Sequence, residues 1–524
     1  MNGMKGIGRI ANGSLVALAA VLALGLATAP AWAATIVVPD DEASIQDAVD
    51  AASDGDTIKV KKFCGASGVG VCGDNGVYHE NVTIDDIILT INCKGGATID
   101  GADPGGQLTD PGILIKESAG SADGTTIIGC TVQNFDNDGI NVDDVNFVTI
   151  RKVTLRHNTG NGVDLDGNDF LVEKSTASEN GADGFLFASN DGTITRNVAS
   201  GNAGDGFGVV DGNDNTFTRN TAVGNDDRGF EVDGLRNTLS RNKAETNNNE
   251  GYALGCDTVF DDGTVEKNTA RANDDDGVLL CNGDDNVFEK NNATGNKSNG
   301  FKITGENNEV TGNKAEDNND DGFEITCDDV TPCGGPITNN TAIRNEDEGF
   351  ALTQLDTTTV SGNKAKDNGG NGFECNTCDD VTFNNNQATN NHDNGFRQTG
   401  SADMTYNNIK STKNDDDGIR IEGDPSGTTI ENSKFTKNGA DGIDIDGPAT
   451  DTTIDNNLVK NNGGTGIENN GVLTDITDNN VKKNRTDIAG KGDDNTGTVG
   501  TFTGNNFDTG GDTTQTPFTG RGDG

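Results

Sequence analysis

Groups of acidic residues stand immediately before a glycine that recurs along the chain. The candidate metal ligands in these groups are Asp274, Asp275, Asp276, Glu346, Asp347, Glu348, Asp415, Asp416 and Asp417. If the glycines stack, these carboxylates repel one another unless a hard cation such as Ca²⁺, which prefers oxygen ligands, bridges them. We therefore expect an acidic ridge, with calcium as the one cofactor to test. The alternative is a solvated face that binds no ion tightly, since the sequence contains no defined calcium loop.

A second row of charged residues lies two positions after the same glycine. Its candidate binding residues are Glu324, Glu374, Arg397, Arg420 and Asp444. Arg397 and Arg420 should stack about 5 Å apart in adjacent repeats, where two guanidinium groups require anions between them. Neighbouring Glu374, Glu422 and Asp444 can supply these anions, which is the interpretation that we favour. The catalytic alternative is that Arg397 and Arg420 hold a sugar carboxylate while His392 acts as acid or base.

The recurring glycine marks a repeat. It precedes an apolar or aromatic residue at Gly139, Gly162, Gly184, Gly206, Gly229, Gly251, Gly277, Gly300, Gly322, Gly349, Gly372, Gly395, Gly418, Gly442 and Gly466. The spacing is mostly 22 to 24 residues, which is typical of a solenoid. Each repeat contains three short alternating segments, as in Gly229-Phe230-Glu231-Val232, Asn237-Thr238-Leu239 and Asn242-Lys243-Ala244. This pattern predicts three short strands per coil, each with one face turned inward.

Rows of asparagine and phenylalanine accompany the repeat. Asparagines stand four and nine residues before the glycine, as Asn220, Asn242 and Asn268 do in the second of these rows. Asparagine tolerates a sharp corner, and its amide can bond to the same amide one coil away, so we expect corner ladders. The residue after the glycine is mostly phenylalanine. Its alternation partner is aliphatic, which predicts an internal aromatic stack.

The ten cysteines of the chain suggest disulfides if the protein is exported. Cys256 and Cys281 fall at nearly the same corner of adjacent repeats, within bridging range. The motif Cys375-Asn376-Thr377-Cys378 indicates a loop staple rather than a redox or metal pair, because no second pair accompanies it. Other plausible partners are Cys64 with Cys72, Cys93 with Cys130, and Cys327 with Cys333.

Residues 1–33 have the pattern of an export signal, with a positive start, an apolar stretch and the cleavage site Ala31-Trp32-Ala33. We expect a secreted protein, extracellular or periplasmic, without membrane insertion after cleavage; a retained anchor is the alternative. The formal net charge of −47 argues against nucleic acid as a partner. We expect a monomer, with polysaccharide as the partner class to test.

Over residues 35–490 the repeats resemble the right-handed parallel β-helix of the pectin lyase-like superfamily. The opening, with a short helix carrying Ile45, Ala48 and Val49 and then Gly76-Val77-Tyr78-His79-Glu80, resembles pectinesterases and the periplasmic nitrous-oxide-reductase maturation family. The resemblance implies an all-β solenoid with three strands per coil and an N-terminal capping helix. The expected segments are 1–33 signal, 34–110 cap and first coils, 111–492 repeats, and 493–524 a tail rich in glycine, threonine and aspartate. Leucine-rich repeats, the alternative fold, would need a leucine skeleton that the sequence lacks.

Three functions remain open at this point. The first is an acidic scaffold or carbohydrate-associated surface protein, which the uniform repeats favour because an active site normally breaks a repeat. The second, implied by the resemblance, is a calcium-dependent lyase or epimerase on uronate polysaccharide. The sequence has no polygalacturonase Gly-His-Gly and no catalytic signature of pectinesterases or epimerases, so whether it is an enzyme stays open. The third is a periplasmic metal-handling accessory protein, which three histidines and one methionine beyond the signal, Met404, disfavour.

Overall fold

The computed structural model describes residues 33–62, 76–93, 95–103, 106–327, 334–423, 425–471, 474–489 and 502–507. Three long parallel sheets of 18, 20 and 19 strands run through this part of the chain, so the predicted solenoid with three strands per coil is confirmed, with about 18 coils. The expected signal up to residue 32, Cys64, Cys72, Cys333 and most of the expected tail lie outside the described residues.

Sheet 1 contains the segment that follows each recurring glycine. Equivalent residues lie opposite one another in successive strands, as Phe207, Phe230 and Tyr252 do. The strands are Val82–Asp85, Ile113–Lys116, Ile140–Asp143, Val163–Asp166, Phe185–Ala188, Phe207–Val209, Phe230–Val232, Tyr252–Leu254, Val278–Leu280, Phe301–Thr304, Phe323–Thr326, Phe350–Thr353, Phe373–Asn376, Phe396–Thr399, Ile419–Glu422, Ile443–Asp446, Thr465–Asn469 and Thr486–Ala489.

Sheet 2 follows sheet 1 in each coil. Its strands pair in parallel with the same strict register, as Thr216 with Thr238 and Thr238 with Thr264. The strands are Thr35–Val38, Thr57–Val60, Thr90–Asn92, Thr126–Ile128, Thr149–Arg151, Leu171–Glu173, Thr193–Thr195, Thr216–Thr218, Thr238–Ser240, Thr264–Glu266, Val287–Glu289, Glu309–Thr311, Ile337–Thr338, Thr359–Ser361, Thr382–Asn384, Thr405–Asn407, Thr429–Glu431, Thr453–Asp455, Asp475–Thr477 and Phe502–Thr503.

Sheet 3 completes each coil before the next glycine. Its three-residue strands bury the middle residue, most often alanine, and turn the first and third outward, as in Lys243–Glu245. The strands are Val77–Tyr78, Thr98–Asp100, Thr131–Gln133, Thr154–Arg156, Thr176–Ser178, Val198–Ser200, Thr221–Val223, Lys243–Glu245, Thr269–Arg271, Asn292–Thr294, Lys314–Glu316, Thr341–Ile343, Lys364–Lys366, Gln387–Thr389, Lys410–Thr412, Lys434–Thr436, Leu458–Lys460, Asn480–Lys482 and Asn506–Phe507.

Two short pairs of strands lie outside these sheets. Gly234–Leu235 pairs in parallel with Phe260–Asp261, and Ala102–Asp103 pairs antiparallel with Gly106–Gln107. The first pair lies at the corner between sheets 1 and 2, where the longer repeat that ends at Gly277 places its extra residues. The extra residues 256–259 are exposed or half-buried there, while Phe260 after them is fully buried in the core.

The interior contains the predicted aromatic stack. Adjacent rings from Phe185 to Tyr252 and from Phe301 to Phe396 have centroids 4.7 to 5.0 Å apart and lie within 8° of parallel. Val278 separates the two runs, and each ring is at most 1% exposed. The rings therefore belong to the core and offer no platform for a sugar.

The asparagine rows form the predicted corner ladders. Asn220 Nδ2 donates to Asn242 Oδ1 at 3.1 Å, and Asn242 Nδ2 donates to Asn268 Oδ1 at 3.1 Å. Asn242 Oδ1 also accepts the backbone N–H of Asn220 at 2.9 Å, and Asn242 Nδ2 donates to the Phe217 carbonyl at 2.9 Å. The buried amides satisfy one another and the backbone of both neighbouring coils, as buried polar groups must.

The recurring glycine is required because a Cβ atom does not fit at its position. A Cβ atom on Gly229 would lie 2.6 Å from the Gly251 carbonyl oxygen and 2.7 Å from the Ala244 Cβ atom. The same carbonyl and alanine contacts recur at Gly349 and Gly372. Glycine and alanine are thus paired small residues that let sheet 1 and sheet 3 approach at this corner.

Disulfides Cys93–Cys130, Cys256–Cys281 and Cys375–Cys378 are formed, as predicted. The Cα atoms of Cys256 and Cys281 are 4.9 Å apart, which matches the stacking distance of adjacent coils. Cys375–Cys378 closes the turn between sheet 1 and sheet 2, and both of its residues are 1% exposed. This pair is therefore a staple, as the sequence indicates.

The single helix of the described chain, Ile45–Ala51, packs Ile45, Ala48 and Val49 against the first coils. The Glu80 carboxylate accepts the backbone N–H groups of Ile45 and Gln46, both at 2.9 Å, at the positive end of the helix. This contact gives the Glu80 motif a structural role. The expected capping helix is present, while its relation to particular enzyme families stays a prediction.

Replacing Asn242 by alanine removes an acceptor from two Asn220 N–H groups and a donor from the Phe217 carbonyl, all buried. We expect a loss of about 2 to 4 kcal/mol in the free energy of unfolding, measured by urea titration followed by circular dichroism. The control is Asn248→Ala, at an exposed asparagine. A loss no larger than that of the control would contradict the role assigned to the ladder.

Candidate functional site

The candidate residues lie along one edge of the solenoid, at the corner between sheet 3 and sheet 1 and on the outer face of sheet 1. The corner positions precede each recurring glycine, and the outer positions follow it by two residues. Strict register stacks each set, as Glu374, Arg397 and Arg420 show. The site is therefore a long surface made of many coils.

The acidic triplets do not form a uniform ridge. In each triplet the first two residues are exposed or half-buried. The third residue is at most 5% exposed where it is Asp276 or Asp417, and it is half-buried where it is Glu348. Asp276 Oδ1 accepts the backbone N–H of Asn299 at 2.8 Å, and Asp417 Oδ1 accepts that of Asp441 at 2.6 Å. The third residue is therefore part of another corner ladder, in which a carboxylate replaces the amide oxygen.

Asparagine occupies the same position in other coils. Asn394 Oδ1 accepts the Asp417 N–H at 3.0 Å, and Asn371 Oδ1 accepts the Asn394 N–H at 3.1 Å. Aligning the residue before each glycine would have shown this alternation of Asp and Asn in the sequence. The calcium interpretation of the triplets therefore applies to their outer residues.

The buried carboxyls have raised pKa values. Burial is the main cause for Asp276, whose pKa rises to about 6, and for Asp417, whose pKa rises to about 7. Repulsion from Asp275 adds to the rise at Asp276, while Lys302 opposes it. At neutral pH the ionisation of these buried carboxyls costs folding free energy. The asparagines of the same row avoid this cost.

One compact group of three carboxylates occurs in the described part of the chain. Oxygen atoms of Asp320, Asp321 and Asp347 lie within 4.8 Å of one another. Of these, only Asp347 is a candidate ligand from the triplets. The other outer candidates, Asp274, Asp275, Glu346, Asp415 and Asp416, join no such group within the described residues, and Asp274 pairs with Lys297 at 2.7 Å.

Arg397 and Arg420 are register partners, as predicted. Arg397 Nη2 lies 2.9 Å from Glu422 Oε2, and its Nη1 lies 3.5 Å from Glu374 Oε1. Arg420 also pairs with Glu422, and its Nη2 lies 3.0 Å from Asp446 Oδ2. The two guanidinium groups are therefore neutralised within the chain, Glu422 being the anion between them. Sequence reasoning identified Glu374 and Glu422 but missed Asp446, which lies at the end of its strand.

Two of the remaining candidates, Glu324 and Asp444, lie near cations of the chain, and the third is His392. Glu324 pairs with Lys302 at 3.0 Å. Asp444 lies 3.9 Å from Arg420, and burial, opposed by Arg420, raises its pKa to about 7. His392 is exposed at the corner, and within the described residues its imidazole makes no hydrogen bond or ion pair with either arginine. Within the described residues the two arginines are thus joined through Glu422, and no polar contact connects His392 to them.

The described chain offers little to a soft metal ion. Cys93, Cys130, Cys256, Cys281, Cys375 and Cys378 are all in disulfides. Met404 is fully buried. These contacts disfavour the metal-handling function.

A family model described as the right-handed β-helix region matches residues 111–259, 259–409 and 356–507. The protein is therefore a right-handed parallel β-helix protein, and the chain belongs to this family. No curated protein matches the sequence. None of the described helices is long and apolar enough to span a membrane.

The chain is also similar, at low identity, to several solved structures. They include a double mutant of the periplasmic alginate epimerase AlgG (13% identity, 73% of this chain and 78% of that chain, TM-score 0.31). The A-module of the Azotobacter vinelandii mannuronan C-5 epimerase AlgE4 (15%, 84% and 93%, TM-score 0.22) and pectate lyase Pel9A (15%, 74% and 72%, TM-score 0.22) are others.

Asp276→Asn should stabilise the protein at pH 8, since asparagine is accepted at this position in neighbouring coils. Because burial raises the pKa of folded Asp276 to about 6, against about 4 unfolded, its protonation stabilises the fold fully below about pH 4, and this contribution is lost as pH rises through 6. We expect a gain of about 1 to 3 kcal/mol at pH 8 that shrinks toward pH 4, measured by urea unfolding across this range. A variant less stable than wild type at pH 8 would contradict the assignment.

Proposed function

We propose that this protein is an exported, rigid, acidic β-helix that acts as a non-catalytic scaffold associated with extracellular carbohydrate. The observation that carries the proposal is the pairing of Arg397 and Arg420 with Glu374, Glu422 and Asp446. Guanidinium groups already held by carboxylates of the chain are poorly placed to bind a substrate carboxylate.

Two further observations support this proposal. The coils that carry the arginines keep the same three-strand pattern as the rest of the solenoid, whereas catalytic sites usually interrupt local regularity. Three disulfides fit an oxidising compartment, extracellular or periplasmic, which agrees with the expected export signal. A lyase or epimerase on uronate polysaccharide is the alternative that the experiment must separate.

The test is a screen of the purified protein on alginate and polygalacturonate, with calcium or with chelator. New double bonds are followed by ultraviolet absorbance, and epimerisation is followed by proton magnetic resonance. We expect no turnover of either polymer, because the arginines serve as internal counter-ions. Turnover that is lost in Arg397→Ala and Arg420→Ala, but kept in Arg344→Ala on sheet 3, would replace the scaffold by an enzyme.

Calcium binding stays a prediction, and we assign it to the outer residues Asp320 and Asp347 together with Asp321, the buried ladder residue beside them, which also accepts the Glu348 N–H. Calcium should raise the thermal midpoint of wild type by several degrees, because it relieves repulsion among these carboxylates. Magnesium at the same concentration is the ionic control. Asp320→Asn combined with Asp347→Asn should abolish the calcium effect, whereas Asp274→Asn, whose residue already pairs with Lys297, should keep it. Equal shifts of the thermal midpoint in the two variants would mean that calcium acts only by non-specific screening.

A further inference from the structure

One part of the solenoid surface is basic, whereas the chain as a whole is acidic. It consists of the outer positions of the six sheet 3 strands from Lys364–Lys366 to Asn480–Lys482, together with the residue that follows each strand; we call it the lysine face. It contains a single acid, Asp367, and nine lysines: Lys364, Lys366, Lys410, Lys413, Lys434, Lys437, Lys460, Lys482 and Lys483. In the whole chain acids outnumber bases by 85 to 38, so this composition reverses the general balance.

Strand register arranges these lysines in rows along the solenoid axis. Lys364, Gln387, Lys410 and Lys434 lie opposite one another in successive strands, and Lys460 lies opposite Lys482. The ring centroids of Phe373 and Phe396, in adjacent coils, are 4.8 Å apart, and the coils are separated by about this distance. The positive charges are therefore spaced along a line. The charged groups of a linear polymer are spaced along a line in the same way.

The lysine face is not neutralised by its own chain. Lys366 pairs with Asp367 at 2.9 Å, and the other eight lysines make no ion pair within the described residues. Seven of the nine lysines are exposed, and Lys460 and Lys482 are half-buried. Their ammonium groups are thus available to an external anion.

The adjoining corner adds little negative charge beside this face. Where other coils have acidic groups, these coils have Gly369-Gly370, Gly439-Ala440 and Gly463-Gly464. Asp415 and Asp416 are the main exceptions, in the coil of Lys413. At the other corner, between sheets 2 and 3, these coils carry Glu431, Asp455 and Asp478. Acids beyond the Debye length, about 8 Å at physiological salt, are largely screened.

Between the lysines most outer positions carry neutral hydrogen-bonding groups, Gln387, Thr389, Thr412 and Asn480, while Leu458 is apolar and Thr436 is buried. Amides and hydroxyls suit the hydroxyl groups of a sugar, and lysine suits its carboxylates. A second copy of the chain would also offer carboxylates, but repulsion between two copies that each carry a formal net charge of −47 opposes their association.

We propose that the lysine face binds a linear carboxylated polysaccharide that lies along the solenoid axis. The proposal adds a partner to the scaffold function and places it on sheet 3, away from the arginines of sheet 1. It does not depend on the absence of turnover, because binding and turnover are measured separately.

The experiment uses the full mature protein and calorimetric titration with alginate, polygalacturonate and neutral dextran at 50 and 300 mM salt. We expect binding to at least one uronate polymer, none to dextran, and a marked loss at the higher salt. Lys410→Glu, Lys434→Glu and Lys460→Glu together should weaken binding at least tenfold, and the corresponding glutamine variant should weaken it less. The control has the same charge change at exposed positions elsewhere, Lys152→Glu, Arg219→Glu and Lys243→Glu, and should bind as wild type does.

Four results would overturn the proposal. They are no binding to either uronate polymer at 50 mM salt, an equal loss in the control variant, tighter binding to single-stranded DNA than to both uronate polymers, and sedimentation that shows lysine-dependent dimers without polysaccharide. The last two would assign the surface to phosphate or to a second copy of the chain. Turnover of a bound polymer would refute the scaffold function while leaving the lysine face in place.

Discussion

Parallel pairing in strict register is the constraint on which the rest of this structure depends. Each coil hydrogen-bonds to the coils before and after it through the backbone, so a residue at one position lies directly over its equivalent about 4.8 Å away. Whatever chemistry a position carries is therefore repeated along a line. Buried amides and aromatic rings tolerate this repetition, because each can bond or stack with its own kind.

Charge tolerates the same repetition poorly, and the sequence shows three solutions. At Arg397 and Arg420 the chain supplies Glu422 as the anion shared by two stacked cations. In the corner row, Asn371 and Asn394 interrupt the buried carboxyls and keep the same backbone bond. On the lysine face, Gln387 interrupts one row, while Lys410 and Lys434 are stacked directly but exposed to solvent. The outer surface is thus a set of parallel rows with different charge, held on one rigid core.

Much of this architecture could be predicted from the sequence, because stacking demands visible periodicity. The spacing of Asn220, Asn242 and Asn268 predicts their ladder, and the corner positions of Cys256 and Cys281 predict their bond. The burial of Asp276 could not be predicted from its acidic triplet, since its neighbours Asp274 and Asp275 are more exposed. Asp446 was missed because its pairing with Arg420 depends on side-chain reach rather than on alternation. The lysine face was missed because its rows lie five, six and eight residues before the glycine, positions that core patterns leave free.

The most direct test of this account is the register of adjacent coils in solution. Thr195 and Thr218 are opposed in sheet 2, so a Thr195→Cys/Thr218→Cys variant should form an additional disulfide on mild oxidation, detectable by peptide mass mapping. The offset pair Thr195→Cys/Thr216→Cys should remain reduced under the same conditions. Equal crosslinking of both pairs, or crosslinking of the offset pair alone, would contradict the stacking from which every surface row is derived.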